Sequence, residues 1–353
     1  MIVNGSCLPS FRFVTDKRIQ NVLIDKSEIL SLIRSLNPNK AAGSDGISGR
    51  MLLLCDDAVI LPLEIIFQNI LTTSTFPDAW KLANVIPIFK KDDKQLVENY
   101  RPISLLPICG KLFEKIIFNG LYSYLNTNNL ITLNQSGFRP GDSTTNQLIY
   151  LLNAIHEAFN DPKCLEVRSV FLDISKAFDK VWHDGLLFKL KQNGVAGDLI
   201  KFFESYLSSR KQRVVLNGFY SEYSTIESGV PQGSVLGPLL FLVYINDLER
   251  NLTSEVKFFA DDTMLFCVVK DPQTSAQELN QDLDLINRWA HQWKMQFNPD
   301  PTKQATEVLF SCKKSSVHHP ALYFNDSIVT RADDHKHLGL TLNKNLCFEK
   351  RLY

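Results

Sequence analysis

Phe259-Ala260-Asp261-Asp262 sets two adjacent carboxylates between two apolar runs, Val256 to Ala260 and Thr263 to Val269. Runs of that length and composition read as β-strands, so the pair falls at the tight turn of a hairpin. Neighbouring ionised carboxylates repel, and taking an unpaired one out of water is costly, so a strand-flanked Asp-Asp points to a cation held between them. Taken alone, the pair also fits an ordinary polar hairpin turn, where Asp is common. A third carboxylate upstream separates the two readings.

That carboxylate lies in Val167-Arg168-Ser169-Val170-Phe171-Leu172-Asp173-Ile174-Ser175-Lys176-Ala177-Phe178-Asp179, where a β-rich run ends on Asp173 and a helix-like segment follows. Should this strand lie beside the hairpin, Asp173, Asp261 and Asp262 converge at one sheet edge. Three hard oxygen donors so placed suit two Mg²⁺ ions about 3.5–4 Å apart, the arrangement used for in-line phosphoryl transfer.

Phe171 to Asp179 resembles motif A of reverse transcriptases, Ser228-Gly229-Val230-Pro231-Gln232-Gly233-Ser234-Val235-Leu236-Gly237-Pro238 their motif B, and Phe259 to Asp262 their motif C, in the family's order. Further segments narrow the resemblance to non-LTR retrotransposons of the jockey-like kind. These are Lys40 to Ile47, Trp80-Lys81 through Pro87 to Lys91, Asn99 to Leu105, and Gln135-Ser136-Gly137-Phe138-Arg139-Pro140-Gly141. Each is short, but seven in family order, running from about Asp25 almost to the last residue, leave little room for chance.

The resemblance implies an RNA-directed DNA polymerase that adds deoxynucleoside triphosphates to a DNA primer 3′-hydroxyl along an RNA template. It implies two Mg²⁺ ions, with Mn²⁺ as a substitute, held by Asp173, Asp261, Asp262 and the carbonyl of Ile174. The expected fold is α+β: a right-hand polymerase with fingers and an antiparallel palm sheet backed by helices. Residues 1–24 are expected to form an extension, 25–165 fingers and 166–353 palm, with the chain ending before a thumb. A retroelement remnant that binds RNA–DNA duplex without copying it is the alternative reading; a host RNA maturase fits the fingers motifs less well. Protein partners, template and insertion site are not legible.

Further roles come from the same resemblance. Phe178, five residues after Asp173, matches the bulky side chain held against the sugar of the incoming nucleotide, where an aromatic excludes a 2′-hydroxyl; an isolated Phe would otherwise be read as core. Gln232 and Gly233 belong to a substrate-binding loop in which glycine lets backbone approach closely. Lys90, with Lys91 as its competitor, and Arg101 match positions that reach the triphosphate. Lys303 matches a general acid for the leaving pyrophosphate, and His337-Leu338-Gly339 a primer-grip turn. Asp179 and His183 read as structural, and Ser234 lacks the frame of a hydrolase nucleophile. Arg210, Lys211 and Arg213 form a basic cluster suited either to a nucleic-acid backbone or to solvent.

The 353 residues are 44% hydrophobic, enough for a large core divided into subdomains, while Lys plus Arg equals Asp plus Glu at 38 each. Bulk charge therefore gives no attraction for a polyanion, and phosphate binding must come from local clusters. Seven cysteines, scattered and without a Cys-x-x-Cys pair, indicate neither a zinc knuckle nor a disulfide framework. No apolar stretch reaches membrane-spanning length, so no membrane association is expected and the chain reads as intracellular, nucleus and cytoplasm being undistinguished. Helical spacing is expected over Ser27 to Leu36, Met51 to Leu71, Lys111 to Asn126 and Ser234 to Leu248. Asn217-Gly218 marks a hairpin, and Ser275-Ala276-Gln277-Glu278 a capping box opening a helix with Leu279, Leu283, Ile286 and Trp293 on one face.

Overall fold

The computed structural model describes residues 8–9, 14–90, 93–311 and 317–346. Its first elements along the chain are α1 (Lys26–Arg34), α2 (Gly49–Cys55), α3 (Ile60–Thr73), β1 (Leu82–Phe89), β2 (Tyr100–Leu105), α4 (Ile108–Thr127), α5 (Thr144–Phe159) and β3 (Glu166–Asp173). Then come α6 (His183–Gln192), α7 (Gly197–Leu207), β4 (Lys211–Leu216), β5 (Phe219–Tyr220), β6 (Ser224–Thr225), α8 (Leu236–Ile245), β7 (Glu255–Phe259) and β8 (Asp262–Val269). The last are α9 (Pro272–Gln292), α10 (Pro301–Gln304), β9 (Ala305–Phe310), β10 (Tyr323–Phe324), β11 (Ser327–Ile328), β12 (Thr330–Arg331), β13 (Asp334–His337) and β14 (Leu340–Asn343). The chain is thus mixed α+β. It divides into two compact units, the first Met1–Ile131 with Phe178–Tyr244, the second Thr132–Ala177 with Ile245–Tyr353.

In the first unit the sheet order is β2-β1-β4-β5, with β6 also on β4; β1 and β2 are antiparallel while β1 and β4 run parallel. The expected hairpin at Asn217-Gly218 is present, both residues holding positive φ (51° and 81°) between β4 and β5. Helix α1 opens one residue earlier than its apolar spacing indicates, because the Asp25 carboxylate accepts the Ser27 N–H and serves as its N-cap. The helix expected over Met51 to Leu71 is instead two. Asp56 takes a positive φ of 37°, a 3₁₀ turn follows over Asp56–Val59, and Arg34 anchors that break through Asp56. Apolar periodicity survives such a break, so the sequence does not reveal it.

The same unit is cored by an aromatic cluster. Phe76 packs edge-on against Tyr206 (5.1 Å between ring centroids) and Phe202 (6.1 Å), and Phe113 lies tilted against Phe67 (5.2 Å). Arg210 is buried with them, its guanidinium 4.8 Å from the Tyr206 ring, and it donates to the Tyr206 carbonyl at 3.0 Å. This corrects its reading as part of a basic surface cluster. The planar cation is sandwiched among aromatic rings near buried Glu114, while Lys211 stays exposed and Arg213 lies between the Tyr220 and Tyr223 rings. Glu114 accepts the Val235 and Leu236 N–H groups that open α8. Helix α8 therefore begins at Leu236 and not at Ser234, whose hydroxyl instead accepts the Gly237 N–H.

In the second unit the sheet order is β12-β9-β3-β8-β7, with the pairs β9-β3, β3-β8 and β8-β7 antiparallel and β12 parallel to β9. Strand β3 is central and buried at every position until Asp173. Its Val167 and Phe171 join Met264, Phe266, Val308 and Phe310 in a core closed by Leu151 and Ile155 of α5. Helix α9 packs against β8 and β10 through Leu279, Leu283 and Ile286, and Trp293 is buried just past its end. Its start differs from expectation. Asp271, not Ser275, is the N-cap, accepting the Thr274 N–H at 2.7 Å, with Pro272 in the first turn. An Asp-Pro opening satisfies one early N–H and removes another, which outweighs the capping box four residues on. Among the described residues four cysteines are free thiols, and no helix is long and apolar enough to cross a membrane.

Candidate active site

The register of β3 against β8 builds the site in the second unit. Phe171 pairs with Met264, Leu172 with Thr263, and Asp173 with Asp262, the last pair at the strand ends. Residues directly opposed in an antiparallel ladder point to the same face with Cβ atoms roughly 4.5–5.5 Å apart, so the Asp173 and Asp262 carboxylates share one edge. They continue the face that Phe171 and Met264 use for the core, at the point where that core ends. Asp173 and Asp262 are exposed and Asp261 half-buried. The pair therefore does not bear the burial penalty inferred from its apolar flanks, and repulsion at close range is what remains for a cation to relieve.

Two residues set the turn. Phe259 pairs with Asp262, leaving Ala260 and Asp261 as a two-residue loop in which Ala260 has φ 56°. Asn298 steadies the facing strand end: its Nδ2 donates to Asp173 Oδ2 at 2.9 Å and its backbone N–H to the Asp173 carbonyl at 2.9 Å. Ile174 is buried and bridges to Phe297. The expectations assigned no role to Asn298; an Asn five residues before the lysine taken as general acid gives no signal until the loop folds back. That lysine, Lys303, pairs with Asp300 (3.2 Å) on the short helix α10 and is exposed. Among the described residues no group of three or more His, Cys, Asp or Glu forms a ready metal-binding cluster, so the arrangement consists of two opposed carboxylates with a third beside them in sequence.

His337, Leu338 and Gly339 form the β13–β14 turn, with positive φ at Leu338 (50°) and Gly339 (88°). His337 is buried, with its ring 5.1 Å from Phe171, while the His335 ring stacks on Phe171 at 4.2 Å. Burial, and then the neighbouring His335, lower the His337 pKa to about 4. Burial also lowers that of His335, opposed by Asp173 and Asp334. A histidine kept neutral in the fold but protonated near pH 6.5 when unfolded gives stability that is complete above pH 6.5 and lost as pH falls toward 4. The loss expected for His337 is on the order of 3 kcal/mol. Thermal melts at pH 7 and pH 4 should show it, and His337→Phe should flatten that dependence. An unchanged pH profile in the variant would contradict it.

The residues expected to meet the nucleotide fall in the first unit, where the segments resembling the tail of motif A and motif B are stitched together. The Val230 N–H donates to the Phe178 carbonyl (2.8 Å), the Gly229 N–H to the Val181 carbonyl (2.8 Å), and the Ser228 hydroxyl to the Asp179 carbonyl (3.1 Å). Gln232 Nε2 donates to Asp179 Oδ1 at 3.0 Å, and the His183 ring nitrogen donates to the Gly229 carbonyl at 2.7 Å. Asp179 and His183 thus have the structural parts expected of them. The half-buried Phe178 ring stacks on Phe241 at 4.8 Å. The Gln232 carbonyl accepts the Ser104 N–H at 2.7 Å, tying the loop to β2.

Arg101, three residues earlier on β2, pairs with Ile88 of β1, and the Lys90 N–H reaches the Asn99 carbonyl, so both cations emerge from one hairpin and are exposed. Lys91, the competitor of Lys90, lies outside the described residues. Gly233 needs to be glycine. Its φ is 117°, and a Cβ there would sit 2.6 Å from the Ser104 carbonyl oxygen. Gly233→Ala is expected to cost about 1–3 kcal/mol through strain and clash, read as a lowered Tm. A variant melting with the wild type would show that the loop is free to move.

The chain belongs to the reverse transcriptase (RNA-dependent DNA polymerase) family, which it matches over residues 88–342. It is 33% identical over 334 residues to the RNA-directed DNA polymerase from mobile element jockey of Drosophila melanogaster, covering 92% of this chain and 36% of that protein. It is 32% identical over 366 residues to a probable RNA-directed DNA polymerase from transposon BS of the same organism, with coverage of 97% and 40%. Against a probable RNA-directed DNA polymerase from transposon X-element, also of Drosophila melanogaster, identity is 31% over 332 residues, with coverage of 92% and 36%. The chain therefore spans well under half the length of these curated relatives. The expected family and the jockey-like kinship are both borne out.

Proposed function

We propose that this chain carries the polymerase part of a non-LTR retrotransposon reverse transcriptase, extending a DNA primer with deoxynucleoside triphosphates on an RNA template. The observation that carries the reading is the register that opposes Asp173 to Asp262 at the end of a buried central strand, beside the Asp261 turn. In this reading the sheet around β3 and β8 serves as the palm of a right-handed polymerase, and the β1–β2 hairpin belongs to its fingers.

The donor set suits Mg²⁺: hard carboxylate oxygens, two of the three Asp side chains exposed, and no soft ligand among them. Asp173, Asp261 and Asp262, with the Ile174 carbonyl, would hold two ions, and Mn²⁺ could substitute. Such ions, when bound, make a hydroxyl nucleophilic and offset charge on the leaving phosphate. The protein's own part is to hold these oxygens on strand ends that the core makes rigid. Arg101 and Lys90 supply cationic donors for a triphosphate, Arg as a planar fork and Lys as a mobile point charge. Lys303, paired with Asp300, is the proposed proton donor to pyrophosphate, and the His337-Leu338-Gly339 turn the proposed primer grip.

The test is primer extension by purified protein on RNA and DNA templates, with and without Mg²⁺. Metal-dependent extension on RNA supports the reading. Tight binding of an RNA–DNA duplex with no extension under any metal would overturn it in favour of a duplex-binding remnant.

A further inference from the structure

Resting on that reading, one motif lacks a role: Gln135-Ser136-Gly137. Its side chains and backbone lie, within the second unit, along the outer edge of the catalytic hairpin. The Ser136 N–H donates to the Phe258 carbonyl and the Phe258 N–H to the Asn134 carbonyl, each at 2.9 Å, so the segment continues the sheet past its edge strand β7. Lys257 Nζ adds a bond to Asn134 Oδ1 at 2.7 Å.

Gln135 then turns inward. It is 2% exposed, and its Oε1 accepts the Ala260 N–H at 2.9 Å and the Gly137 N–H at 2.7 Å, while its Nε2 donates to the Ala260 carbonyl at 3.4 Å. One side chain thus takes both backbone groups of Ala260. That residue holds φ 56° without being glycine, a left-handed conformation disfavoured for an L-residue, which persists only where its surroundings over-determine it. Gly137 allows the approach, since a Cβ on it would fall 2.1 Å from the Ala260 nitrogen. Ala260 immediately precedes Asp261, so its backbone angles set where the Asp261 and Asp262 carboxylates start.

We propose that Gln135 is a positioning residue for the catalytic hairpin: its amide clamps Ala260 in the left-handed conformation that presents Asp261 and Asp262 opposite Asp173. Without the clamp, the turn relaxes toward commoner angles and the carboxylates lose their register with the facing strand. The role is distinct from touching substrate or metal.

Gln135→Met keeps the length and removes both polar ends, whereas Gln135→Glu keeps the acceptor for the two N–H groups. In the full chain, Gln135→Met is expected to raise amide exchange at Ala260 at least tenfold, weaken Mn²⁺ binding measured with the metal alone about tenfold, and lower kcat for primer extension about tenfold with the nucleotide KM within twofold. Gln135→Glu should recover most of each. Unchanged exchange and Mn²⁺ affinity in folded Gln135→Met would overturn the proposal. So would equal damage in both variants tracking a common fall in Tm, since that marks a merely structural residue. If Gln135→Met does not fold, Gln135→Glu with wild-type exchange at Ala260 supports the clamp, and exchange tenfold faster overturns it. Asp261→Asn separates the two readings: if it too leaves Mn²⁺ binding and extension intact, the polymerase site itself is misassigned, whereas the exchange readout still judges the clamp.

Discussion

Asp173→Asn and Asp262→Asn, made singly, are each expected to lower Mg²⁺-dependent primer extension by roughly a thousandfold or more while leaving the fold unchanged. The two carboxylates are opposed in register and exposed, so each substitution removes one charge from the shared edge without emptying a packed position. Stability should move by no more than about 1 kcal/mol, since Asn keeps a side-chain oxygen that can still accept the Asn298 amide at position 173. Relief of like-charge repulsion sets its sign, a slight stabilisation. Asp261→Asn should act in the same direction on activity. The measurements are extension rate and Tm on the same preparations. A near-wild-type rate in either opposed variant, with circular dichroism unchanged, would remove these residues from the chemistry, and a collapse of Tm alongside lost activity would make them structural.

Phe178→Val should admit ribonucleotides, narrowing the preference for a deoxynucleotide over its ribonucleotide, measured as the ratio of kcat/KM, by roughly ten- to a hundredfold. The ring is half-buried and stacked on Phe241, so one face is engaged in packing while the side chain is not wholly enclosed. Val keeps a β-branched wall over Phe241 but withdraws the outer part of the ring, which is the part a 2′-hydroxyl would meet. The cost to the fold is about 1–3 kcal/mol, well below what a fully buried aromatic would lose. An unchanged discrimination ratio with lowered Tm would return Phe178 to the core.

Strand against helix was legible where a short apolar, β-branched run is bounded by turn residues. The β-rich run from Val167 to Asp173 and the apolar flanks of Asp261-Asp262 mark β3, β7 and β8, and the two-residue hairpin follows from its spacing. Helix ends were less so. The break at Asp56, the start of α9 at Pro272 and that of α8 at Leu236 each depend on which polar group happens to meet a free N–H, and Glu114 meets those of α8 from more than a hundred residues away. Arg210 shows the same limit for charge: beside Lys211 it reads as surface, and only the aromatic rings that close around it put it inside.

From sequence alone came the family, the three aspartates and the local form of the strands that bear them, because these rest on residue type and on periods of a few residues. Tertiary structure alone supplied the register that sets Asp173 against Asp262, the bond from Asn298 to Asp173, and the hold of Gln135 on Ala260. Each joins residues about ninety or more positions apart. No local propensity encodes such a pairing; the packing of a buried strand between its neighbours does, since a slip of one residue would exchange the two faces of β3, taking Val167 and Phe171 out of the core they share with Met264 and Val308 and sending the terminal carboxylate to the opposite side of the sheet.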